Sequence, residues 1–157
     1  MENKNPIVTI EMENGKQIKV ELYPEYAPTT VTNIIALVKS GYYENKIIYG
    51  KDPICLYLGR DKDGNVVNPT VSLINQNVAE DSDENFEYTI PGEFHANGYK
   101  DNTLRHEKGV LSLIRNDYTQ SVTGLYQESY NSGNSQIGIM MGENSSNLNG
   151  VYAAFGR

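Results

Sequence analysis

An Asn14-Gly15 pair between two β-rich runs does most to limit what this chain can fold into. Ile7-Val8-Thr9-Ile10-Glu11-Met12 precedes it, and Gln17-Ile18-Lys19-Val20-Glu21-Leu22 alternates polar and apolar residues after it. Asn-Gly flanked by such runs is the strongest short-range signal for a β-hairpin. The period of two sends Ile18, Val20 and Leu22 to the core and leaves Lys19 and Glu21 in water.

The next segment changes period. Val31, Ile34, Ile35 and Val38 recur at helical spacing, and Leu37 widens the stripe. Pro28 suits a first helical turn, Lys39 a last one, and Gly41 a C-terminal cap. The spacing predicts a helix over residues 28–40. Beyond it the chain is a series of short apolar runs between turn signals. Ile47 to Leu58 reads as two strands joined tightly through Gly50-Lys51-Asp52-Pro53, and Phe86 to Phe94 as a strand, a Pro91-Gly92 bend and a strand. Gly109–Ile114, Gln136–Met141 and Val151–Phe155 read as three more. The polar stretches 61–85, with a short apolar run Val71–Ile74, and 116–134, with Tyr118, Tyr126 and Tyr130, are long loops. Their tyrosines are either loop packing or a peptide-binding surface. Many short strands, one clear helix and no βαβ rhythm indicate a β-barrel or sandwich carrying a helix.

At 157 residues the chain makes one domain, residues 1–157, with enough length for its own core. The single cysteine, Cys55, excludes an internal disulfide, and a small buried hydrophobe is the expected role. A net charge of −7 argues against a nucleic-acid partner. No apolar run reaches the ~20 residues of a membrane span, and no signal peptide is visible, so the expected location is cytoplasmic unless a signal or anchor has been removed. No His/Cys/Asp spacing indicates a metal, and Asp61-Lys62-Asp63-Gly64-Asn65 lacks the liganding glutamate of a calcium loop. No cofactor is implied.

Four blocks together resemble a cyclophilin, a β-barrel peptidyl-prolyl isomerase. They are Ile18 to Pro24 with Ala27 to Ile34; Ser40-Gly41-Tyr42-Tyr43; Tyr88 to Phe94 with Leu104 to Ser112; and Ser135-Gln136 with Leu148 to Gly156. The resemblance implies a mainly β fold: a cyclophilin-like closed β-barrel with one helix after the first hairpin. The family's C-terminal helix and last strand find no counterpart after Arg157, which leaves the first strand, Ile7–Met12, as an edge or as a pairing edge for a second copy.

The resemblance also implies a site. A typical member reads Phe-His-Arg-Val-Ile-Pro-Gly-Phe-Met-Ile-Gln-Gly-Gly-Asp over the segment that ends at Asp61. The catalytic arginine then falls on Gly50, the pocket phenylalanine on Cys55, the methionine on Leu56 and the glutamine on Leu58. Gln136 is kept, the pocket-floor phenylalanine becomes Gly138, Leu148 is kept, and the pocket histidine becomes Tyr152. Arg115, after the Leu111–Leu113 run, is a candidate substitute for the missing arginine, and Arg60 a weaker one.

Amide rotation before proline faces a barrier of ~18–20 kcal/mol, and catalysis must favour the twisted amide over both planar ones. The family arginine donates a hydrogen bond to that state. Such a charge-assisted bond contributes ~1.5–3 kcal/mol, so its loss alone predicts turnover slower by about ten- to a hundredfold. The function implied by the resemblance is a prolyl isomerase domain that acts on or binds proline-containing segments, with weakened activity. The alternative is a non-catalytic peptide- or protein-binding module on the same scaffold.

Overall fold

A computed structural model of the chain describes residues 4–67, 89–115, 129–133, 135–142 and 146–157. The hairpin forms as the sequence predicts. Strand β1 (Ile7–Glu11) pairs antiparallel with β2 (Gln17–Glu21), with Ile7 opposite Glu21 and Glu11 opposite Gln17. Gly15, at φ 81°, turns the chain, and its N–H donates to Met12 O at 2.8 Å. Val20 and Leu22 are each 1% exposed, but Ile18 is 42% exposed. It sits near the turn, opposite Ile10, and only the other end of β2 reaches the core.

Helix α1 (Pro28–Lys39) buries Val31, Ile34 and Leu37, while Val38, expected in the stripe, is exposed. Gly41 (φ 79°) ends it, and the Tyr42 N–H returns to Leu37 O at 3.1 Å. At the other end Ala27 provides no side-chain cap. Glu93 does so from far along the chain: Oε2 accepts the Thr29 N–H at 3.2 Å, and Oε1 accepts the Thr30 N–H and hydroxyl at 2.5 and 2.8 Å. A buried carboxylate is favourable there because the Thr29 and Thr30 N–H groups and the positive end of the dipole face it.

Five strands make the larger sheet, in the order β3 (Ile47–Lys51), β4 (Cys55–Arg60), β6 (Ile137–Met140), β5 (Leu111–Leu113), β7 (Ala154–Gly156). Backbone bonds extend it to the hairpin. Glu21 and Arg157 exchange N–H···O bonds at 2.9 Å each, the Tyr23 N–H donates to Phe155 O at 2.8 Å, and Leu22 bridges Gly156. One ladder therefore runs β1-β2-β7-β5-β6-β4-β3. Among the described residues β1 has β2 as its only strand neighbour. The main core joins Val20, Leu22, Val31, Ile34, Ile90, Leu111, Leu113, Ile137 and Phe155, so α1 packs on the inner face of the sheet.

Several boundaries differ from the sequence expectation. Strand β3 runs on through Gly50 to Lys51, and the connection is Asp52–Ile54. The Asp52 carboxylate makes that turn, accepting the Ile54 and Cys55 N–H groups at 2.8 and 2.7 Å. The last strand begins at Ala154 because the Val151 and Tyr152 N–H groups bond Leu148 O instead, both at 3.2 Å. Pro91–Phe94 is not in a named strand; Ile90 makes one isolated bridge to Gly133, and a 3-10 turn follows at His95–Asn97. Val71–Ile74, Phe86–Tyr88, Tyr118 and Tyr126 lie outside the described residues.

Candidate functional site

Directly opposed residues in an antiparallel ladder share a face. Leu58 and Leu113 both oppose Ile137, and Leu56 and Leu111 both oppose Ile139. This is the core face. The other face carries Cys55 opposite Met140, and Tyr57 and Ser112 both opposite Gly138. Gly50 opposes Tyr57, and a Cβ on it would stand 3.6 Å from Tyr57 Cδ2. Gln136, one residue before Ile137, alternates onto this face too. Of the sequence-derived site residues, the sheet thus brings Gly50, Cys55, Gln136 and Gly138 together. It turns Leu56 and Leu58 to the opposite side. Leu148 packs against the buried cluster of Cys55, Val110, Met140 and Ala154.

The floor of this outer face is filled. A Cβ on Gly138 would lie 2.8 Å from Cys55 Sγ and 3.0 Å from Ile114 Cδ1. Cys55 is 3% exposed, with its thiol 3.9 Å from Met140 Sδ. Burial, and secondly the Asp52 charge, push its pKa up to about 11. It is an inert packing group, as the sequence suggests.

Tyrosines line the rim. Tyr57 donates its hydroxyl to Asp52 Oδ2 at 2.6 Å, and its ring stacks with that of Tyr49 at 6.0 Å. Burial and then the Asp52 bond raise the Tyr57 pKa, and the same bond is the main cause that lowers that of Asp52. Tyr49 sits at the irregularity between Ile48 and Gly50, so its side chain escapes the strict alternation. Its hydroxyl donates to Gln136 Oε1 at 2.7 Å, and the Arg60 guanidinium lies 4.0 Å over its ring. Burial raises the Tyr49 pKa, partly offset by Arg60.

Arg115 stands at the far side. Its Nε donates to Val151 O at 3.0 Å and its Nη1 to Ser129 Oγ at 2.7 Å. The guanidinium packs over Tyr152 at 4.4 Å, Tyr130 at 5.2 Å and Phe94 at 5.4 Å. Strands β4 and β6 separate Gly50 from the strand that Arg115 follows, so three strand spacings, roughly 14 Å, lie between their backbones. Sequence reasoning missed Tyr49, Tyr57, Asp52 and Ile114. Alternation from Cys55 would have found Tyr57; the irregularity that turns Tyr49 in has no sequence signature.

A second polar group ties the Leu148–Ala153 segment to the sheet. His106, 2% exposed, lies with Nε2 2.9 Å from Ser112 Oγ and Nδ1 3.1 Å from Asn149 Oδ1. Burial lowers its pKa. With Ser112 only 1% exposed, this is a structural group. Among the described residues there is no cluster of potential metal ligands, and no helix is long and apolar enough to cross a membrane.

Comparison with known proteins agrees with the architecture. No curated protein sequence matches the chain. Among solved structures, a cyclophilin type peptidyl-prolyl cis-trans isomerase of Cryptosporidium parvum, determined in the presence of the dipeptide Ala-Pro, is similar at 22% identity and a TM-score of 0.64, over 97% of this chain and 77% of that one. A cyclophilin from Hirschia baltica is similar at 23% identity and a TM-score of 0.59, over 99% of this chain and 64% of that one. These likenesses are of fold: mainly β, as in the cyclophilins. The family described as cyclophilin type peptidyl-prolyl cis-trans isomerase/CLD matches residues 7–157, almost the whole chain, and the protein belongs to that family.

Proposed function

We propose that this chain holds X-Pro segments of peptides or proteins against the tyrosine-lined outer face of its sheet and isomerises them only slowly. Family membership supports the substrate class. The observation that carries the reduced rate is the filled floor at Gly138, together with a Gly50 that has no side chain to offer the twisted amide. A proline ring meets Ile114 and Tyr57 at the surface, above the buried Cys55, rather than entering a deep aromatic pocket. Each aromatic contact forgone removes apolar area at ~25 cal/mol per Å², so binding weakens along with turnover.

A protease-coupled isomerisation assay tests this. A kcat/KM within tenfold of an ordinary cyclophilin overturns the slow-enzyme reading. No rate above buffer, with Ala-Pro peptide still shifting Tyr57 and Tyr152 resonances, moves the protein to the second reading, a binding module without catalysis. Gly50→Arg is the companion variant. Its Cβ has space, so it is expected to raise kcat/KM by about ten- to a hundredfold, the contribution of one charge-assisted bond. Among the described residues one side of β1 pairs with no strand, and Ile7 is 61% exposed there; this supports pairing of two copies along that strand, and a sedimentation profile of monomer alone overturns it.

A further inference from the structure

The chain carries a net charge of −7, yet two arginines frame the proposed groove. Each is held in the same way. Arg60 lies over Tyr49, donating Nε to Gln136 Oε1 at 3.4 Å and Nη1 to Gly64 O at 3.5 Å. Arg115 lies over Tyr152, with Nε and Nη1 given to Val151 O and Ser129 Oγ. All these acceptors are neutral. Neither guanidinium has a carboxylate partner, and each keeps its Nη2 amino group unbonded, among the described residues. An arginine stacked on a ring and pinned at one edge has lost its rotamer freedom before any ligand arrives.

Their separation follows from the ladder. Leu58 of β4 and Leu113 of β5 both oppose Ile137 of β6. Arg60 and Arg115, each two residues further on, therefore leave the sheet at the same rim, two strand spacings or roughly 10 Å apart. An extended peptide advances ~3.3 Å per residue, so three residues span that gap.

We infer that Arg60 and Arg115 are specificity residues that select a segment with acidic side chains on either side of the X-Pro bond held over Tyr57 and Tyr152. The assignment rests on the proposed groove. It differs from catalysis by Arg115: the guanidinium recognises a carboxylate and leaves the amide rotation unassisted.

Three blocked peptides test it by NMR titration in low salt: Ala-Glu-Ala-Pro-Glu-Ala, the same with Gln for both Glu, and the same with Lys for both. The Glu peptide is expected to bind about tenfold tighter than the Gln peptide, as two rim ion pairs at the upper end of the exposed range would give, and Lys weaker than either. The Glu:Gln ratio should fall towards one in high salt. Arg60→Gln and Arg115→Gln should each lower that ratio about threefold, and Arg115→Lys, which keeps the charge, should restore most of it. Equal affinity for Glu and Gln peptides overturns the assignment while leaving peptide binding intact. No binding of any of the three overturns the groove itself and the assignment with it. If Arg115→Gln unfolds, the Arg60→Gln ratio and the salt dependence decide alone.

Discussion

A Cβ on Gly138 would press on Cys55 Sγ and Ile114 Cδ1 at 2.8 and 3.0 Å, so this glycine is filled in by its neighbours rather than left open. Gly138→Phe, the change that would restore the residue implied by family likeness, is therefore expected to destabilise the protein by about 1–3 kcal/mol through overpacking. Urea unfolding would register it as a lower midpoint, without a gain in isomerase rate. His106 carries a second consequence at this scale. Its folded pKa is depressed by burial, so the unfolded chain binds a proton first as pH falls. The stability that this group contributes is complete above its unfolded value of ~6.5 and declines as pH drops from there towards the folded pKa, with a slope of at most ~1.4 kcal/mol per pH unit. Urea midpoints measured from pH 7 to 5 should show the decline, and His106→Gln should flatten it. The sequence showed that the arginine and aromatic positions of the family are altered, because identity at a position is legible directly. It did not show that Ile114 and Cys55 close the gap, because that depends on two side chains meeting across strands.

At the scale of elements, α1 was readable from its apolar spacing, its Pro28 start and its Gly41 stop, all local signals. What holds its first turn was not, because the carboxylate comes from Glu93, 63 residues beyond Thr30. Glu93→Ala should cost about 2 kcal/mol by leaving the Thr29 and Thr30 N–H groups and the Thr30 hydroxyl without their acceptor. For a chain of this size that is a fall of roughly 4–8 °C in Tm. A helix signal in circular dichroism that falls before the tyrosine signal would place the loss at α1. Strand existence was legible from alternation, whereas strand length was not: Asp52 and Leu148 decide by side-chain and carbonyl bonds where β4 and β7 begin. That Leu56 and Leu58 lie on the face opposite Gly138 was not legible either, since a one-residue shift between strands exchanges the two faces.

For the molecule as a whole, Gly156 is the seam. A Cβ there would lie 2.9 Å from Glu21 O and 3.1 Å from Leu22 Cδ2, where the hairpin meets the larger sheet. Gly156→Val should cost about 2–3 kcal/mol, through overpacking against backbone that cannot move aside. Hydrogen exchange should report it first at the Glu21, Tyr23 and Arg157 amides. A uniform change across all strands would contradict this seam.

The same seam sets an order of events. β7 lies between β5 and the end of β2, so the first hairpin has no strand to link it to the larger sheet until Ala154–Gly156 is in place. On a ribosome, β1 and β2 are made well before β7 and wait for it. Closing a loop from Leu22 to Gly156 is the kind of distant pairing that slows folding to milliseconds or longer. Throughout that wait the exposed hairpin is open to strand pairing with other chains, and a holding chaperone or crowded expression would act on it before any part of the finished groove exists.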